Sequence, residues 1–130
     1  MTRMRPNVLL AVLVLLALSA GVAFAEYDKA KVQGVMRANM GALPRLNTAA
    51  NAGNFVDAAG ALLTISSGMF SIKDYTPLKG DKAAWDATFA TLLEATWRGL
   101  AACADKNQAN LKAAVAEVQK AMQTGHSSFR

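Results

Sequence analysis

Few side chains in this sequence have ligand or catalytic chemistry to offer, and they are of two kinds. There is one imidazole, His126, and there are four thioethers past the first residues, Met36, Met40, Met69 and Met122. Imidazole and thioether together suit a haem iron or Cu(I). The residue sets of catalysis are missing. No HExxH, Gly-rich phosphate loop or Cys/His zinc spacing occurs, and no Ser-His-acid set can be assembled around His126. A Glu-plus-ExxH di-metal site is excluded because no Glu stands three residues before His126. The acids Asp28, Asp57, Asp74, Asp81, Asp86, Glu94, Asp105 and Glu117 are scattered and read as a solvated surface. No enzymatic role is expected. Bland roles stand beside the chemical ones. Met122 and Phe129, at i−4 and i+3, put His126 on the flank of an apolar stripe, and a helix C-terminus favours imidazolium anyway. Methionines at seam positions commonly fill gaps in a core.

These side chains must be held by helices. Alanine is abundant, β-branched residues are sparse and no stretch alternates with period two for long. Four stretches repeat apolar residues at intervals of three and four: Val32–Met36–Asn39–Leu43–Leu46–Ala50, Phe55–Ala58–Leu62–Ile65–Met69, Trp85–Phe89–Leu92–Thr96–Leu100–Cys103, and Leu111–Val115–Val118–Met122–Gly125–Phe129. Each lays a stripe along one helix face. Asn51-Ala52-Gly53-Asn54 separates the first pair and Asp105-Lys106-Asn107 the last pair. Both connections are short, which favours antiparallel neighbours. The middle link, roughly 71–81, is longer and holds Pro77 and Gly80, with Asp81 placed to cap the third helix. Pro44, inside the first pattern, predicts a kink near Gly41. The expected fold is all-α, an antiparallel up-down four-helix bundle.

The ends and the charge set the context. Arg3 and Arg5 precede an apolar run over residues 8–22, and Ala23-Phe24-Ala25 follows it. A basic start, an apolar core and a small-x-small site read as a secretory signal peptide over residues 1–25, cleaved after Ala25. The run is short for a membrane span. The expected product is a periplasmic protein of residues 26–130, one domain with room for a single modest core. Without Arg3 and Arg5 it carries 12 Lys and Arg against 9 Asp and Glu, a net of +3. Its charges alternate in sign without a basic run, so neither a nucleic-acid surface nor, after cleavage, a membrane contact is expected. Cys103 is the single cysteine, either a small buried apolar residue or a site of intermolecular pairing.

The C-terminal run Met122-Gln123-Thr124-Gly125-His126-Ser127-Ser128-Phe129-Arg130 resembles the end of the cytochrome c′ family, whose fourth helix closes with CxxCH, two variable residues, an aromatic and Arg. Met36-Arg37-Ala38-Asn39-Met40-Gly41-Ala42-Leu43 is similar to the family's first-helix pattern, and Ala52-Gly53-Asn54-Phe55 to its first interhelical connection. Trp85 and Phe89 match the aromatics that open its third helix. The resemblance spans essentially the whole chain after Ala25. Met122 and Gly125 stand where the two haem-attaching cysteines belong, so covalent haem c is ruled out. His126 matches the proximal ligand, Arg130 the arginine beside it, and Met36 the distal position.

Three readings follow from the resemblance and the residues together. In the first, the bundle binds haem b non-covalently and transfers electrons to a redox partner protein that the sequence does not identify. His126 and Met36 are the axial ligands, Gly125 leaves room for the macrocycle, Trp85 and Phe89 line the pocket and Arg130 lies near it. In the second the protein is haem-free, Met122 fills the vacated volume, and the bundle acts as a structural or interaction protein. Relatives commonly dimerise through helices one and two, which implies that face for a homodimer. In the third, Met and His bind copper, although no local Met-x-Met or Met-x-x-Met cluster occurs.

Overall fold

The computed structural model describes residues 26–129. The proposed signal peptide, residues 1–25, and Arg130 lie outside the described residues. Four helices make up the fold: α1 (Lys29–Ala52), α2 (Phe55–Ile72), α3 (Lys82–Ala104) and α4 (Gln108–Phe129). There is no strand among the described residues.

Every helix begins on an Asp or Asn whose carboxylate or carboxamide oxygen accepts from a backbone N–H of the first turn. Asp28 accepts from Lys31 N at 3.0 Å, Asn54 from Asp57 N at 3.1 Å, Asp81 from Ala84 N at 2.7 Å and Asn107 from Asn110 N at 3.0 Å. Each bond satisfies a donor that the helix itself leaves unpaired. The two short connections share one construction. Gly53 is left-handed at φ 67°, and the amide of Asn54 reaches back to the carbonyl of Ala49 at 2.8 Å. Lys106 is left-handed at φ 52°, and the amide of Asn107 reaches back to Ala102 at 2.9 Å. Both are six-to-one closures of a helix C-terminus. Asn54 and Asn107 each close one helix and cap the next, so almost no loop separates the helices of either pair. The longer connection is pinned instead by side chains. Trp85 Nε1 donates to the carbonyl of Lys73 at 3.0 Å, and Lys82 Nζ donates to the same oxygen at 3.3 Å.

Each helix packs on its neighbours in sequence, and α4 also meets α1. The expected stripes point inward. Leu46, Leu62, Ile65, Leu92, Leu111 and Val118 are all fully buried. Alanines fill the spaces between them, with Ala42, Ala58, Ala61, Ala95 and Ala114 in the core. Helix α1 continues through Pro44, which deprives the Met40 carbonyl of its helical donor without ending the helix. The contact between α1 and α4 is the least extensive of the four. Cross-links between them are polar: Gln108 Nε2 donates to the carbonyls of Ala50 and Asn51, and Gln119 Nε2 donates to Asn47 Oδ1.

Candidate functional site

The stripes fail to close at one end. Met36, Met122, Gly125 and Phe129 were expected at core positions and are only partly buried. Between them lies a cavity of about 570 Å³. That volume falls in the range of cofactor and small-molecule sites, about 300–1,000 Å³. The starts of α1 and α3 and the ends of α2 and α4 contribute its walls.

Six residues expected at a site from sequence line this one cavity: Met36 from α1, Trp85 and Phe89 from α3, and Met122, Gly125 and His126 from α4. The seventh, Arg130, lies outside the described residues. The two aromatics form a buried pair with ring centroids 4.5 Å apart and planes inclined by 28°. Phe129 meets Trp85 edge-on at 5.1 Å. The indole N–H is already satisfied by Lys73, so the aromatic wall is rigid and apolar. A side-chain carbon added at Gly125 would meet only Thr88 Cγ2, at an ordinary 3.5 Å. His126 is exposed at the cavity's edge, while Met36 and Met122 are half-buried.

Met40 and Met69, which the sequence offers as thioethers without assigning them to a site, and Asn39, which it gives only as a stripe position, line the same cavity. The four methionines of the described chain therefore converge on one space with the one histidine. Asn39 is the unusual member. It is 1% exposed, its Nδ2 donates to Met69 Sδ at 3.1 Å, and its Oδ1 has no hydrogen-bond partner. A thioether is a weak acceptor, so this carboxamide is poorly compensated for its burial. The available signal was its register: a polar residue in an otherwise apolar stripe.

Electrostatically the cavity is one-sided. Lys29 and Arg37 line it, and no Asp or Glu does. An apolar interior with a cationic edge accepts a flat apolar molecule that carries anionic groups at one side. Imidazole and thioether reach the cavity from different helices, a donor set whose chemistry would suit a haem iron, with His126 and Met36 as the residues that would hold it. Nothing in the described chain could form a thioether bond to such a group at 122 or 125. Among the described residues no cluster of three or more His, Cys, Asp or Glu is arranged to hold a metal ion. Compared with protein-family models, curated proteins and solved structures, the chain has no match.

Proposed function

We propose that this chain is an exported, cytochrome c′-like antiparallel four-helix bundle that binds haem b non-covalently and transfers electrons. The observation that carries the reading is the cavity: His126, Met36, Trp85, Phe89, Met122 and Gly125, separated by up to 90 positions in sequence, line one apolar space with a cationic edge. The up-down course is supported by the way alternate helix starts and ends meet there. Haem would supply reversible one-electron chemistry. His126 offers an imidazole nitrogen from α4, and Met36 a thioether from α1. Trp85, Phe89 and Leu92 keep water from the apolar interior, and Lys29 and Arg37 are placed to pair with carboxylates at its edge. Arg130 is assigned a place near the same edge by the resemblance. A haem-free bundle fits less well, because Met122 does not fill the space it lines. That Met36, Met40, Met69 and Met122 line the same cavity as His126 favours a second reading, Cu(I) binding, which sequence spacing alone did not support.

An absorption titration with hemin, read oxidised and dithionite-reduced, tests the proposal. Saturable one-to-one binding with sharp reduced α and β bands is expected. His126→Ala should abolish the Soret shift, and Met36→Ala should convert a six-coordinate spectrum to a five-coordinate one. No specific binding by the unaltered protein, with Cu(I) bound stoichiometrically in a competition assay, would transfer the assignment to copper. Binding of neither would leave the haem-free bundle.

A further inference from the structure

A second concavity lies apart from the mouth of the cavity, a groove of about 440 Å³ between α2 and α3. Phe70 of α2 (57% exposed) and Trp97 of α3 (55%) line it, together with the buried Phe89 and Leu93. Phe89 also lines the cavity, where Trp85 is stacked on it at 4.5 Å. One aromatic ring is therefore a wall of both spaces.

The charges of the groove run against those of the chain. Two Lys and three Asp or Glu line it, a net of −1, whereas the chain after Ala25 carries +3. Four of the five are matched in pairs, Lys73 with Asp74 and Lys82 with Asp86. Glu94 is the remainder: it is exposed and has no ion-pair partner among the described residues. Trp97 follows three positions later, so carboxylate and indole share one face of α3. The Phe70 ring already has a cation, the Lys73 ammonium at 5.1 Å. The Trp97 indole has neither a cation nor a ring partner among the described residues.

We propose that this groove is the docking site of a protein partner that inserts an arginine, its guanidinium stacked on Trp97 and paired with Glu94. A guanidinium is planar and weakly hydrated, so it can lie on an indole and meet a carboxylate at once, which a compact, strongly hydrated ammonium does poorly. Apolar surface from Phe70 and Leu93 surrounds the pair, and desolvated Trp and Arg are the residues that anchor interfaces. The sign of the charge also selects the face. Lys29 and Arg37 at the cavity's edge repel a cationic partner that the groove attracts. Trp97 stands about 12 Å along α3 from Phe89, within one partner patch of about 800 Å². A partner seated there covers the wall that the groove shares with the cavity. The partner's redox role rests on the electron-transfer reading, but the recognition of arginine needs no haem.

The test is a proton NMR titration of the protein expressed from the full reading frame, without haem or copper. The probe is a blocked tripeptide, arginine between two leucines, and Trp97→Phe assigns the two indole N–H signals. The Trp97 signal is expected to shift saturably, with a Kd between about 0.1 and 10 mM. Citrulline in place of the arginine keeps the shape and loses the charge, and should bind at least about tenfold more weakly. Glu94→Gln should weaken the arginine tripeptide to the same degree, with circular dichroism and hemin titration as in the parent. A Trp97 signal that does not move would overturn the inference, as would equal binding of the citrulline tripeptide or by Glu94→Gln. Binding to phosphatidylglycerol vesicles in place of the tripeptide, abolished by Trp97→Ser, would also overturn it and give the face to a lipid surface. Binding of the arginine tripeptide without any binding of hemin supports the docking site and overturns only the haem reading.

Discussion

Asn39 offers the sharpest test of the cavity's character, through the substitution Asn39→Leu. The side chain is almost completely buried, its oxygen has no partner and its nitrogen donates only to Met69 Sδ. Leaving a buried acceptor unpaired costs about 1–3 kcal/mol, whereas the hydrogen bond lost to a thioether is worth far less. Leucine matches asparagine in heavy-atom count and branching, its extra volume can enter the adjoining cavity, and it is a better helix former by a few tenths of a kcal/mol. The sum predicts that Asn39→Leu stabilises the ligand-free protein by about 1–2 kcal/mol, a rise in melting temperature of about 4–8 °C for a domain of this size. Urea unfolding followed by circular dichroism measures it, and an unchanged m-value will show that the unfolded state is not the source. If Asn39 is held in the wall to meet a bound group, the same substitution will weaken hemin binding while it stabilises the apo protein. A loss of 1 kcal/mol or more in the apo protein would refute the reasoning, because the carboxamide would then be satisfied where it stands.

Two glycines on facing helices should respond to alanine with opposite signs. At Gly125 the added carbon meets only Thr88 at 3.5 Å, so Gly125→Ala should raise stability by about 0.5–1 kcal/mol in urea melts, the usual helical gain. At Gly99 it would stand 2.8 Å from Cδ1 of the fully buried Leu62, so Gly99→Ala should lower stability by about 1–2 kcal/mol despite that gain. Burial pushes the Cys103 thiol up from its ordinary value, which disfavours the reactive thiolate in the folded protein. At pH 8 a thiol-specific reagent should therefore label Cys103 much more slowly than it labels the urea-unfolded chain. Equal rates would place the thiol at the surface.

The parts of this molecule that were legible in the sequence are those governed by neighbours along the chain. Spacings of three and four fix which face of a helix is apolar, and the four stripes are indeed the buried faces. Asp28, Asn54, Asp81 and Asn107 cap because an oxygen one bond from Cβ reaches the first-turn amides, a local matter. What spacing does not contain is the distance between opposing helices. Two stripes can face each other and still stand apart, which is what happens where Met36 on α1 looks toward Met122 and Gly125 on α4. For the same reason Met40, which lies off the α1 stripe, and Met69, which is in the α2 stripe, gave no local sign of sharing a wall. Met122 and Gly125 connect these levels. Gly125 has room for a side-chain carbon in contact with Thr88 and Met122 stays half-buried, so a sequence adjusted only for a tight core would gain from a larger side chain at 125 and a better-buried one at 122. The smallness of Gly125 and the incomplete burial of Met122 keep the cavity open beside His126, and an open apolar cavity beside a lone imidazole is costly to maintain unless something occupies it.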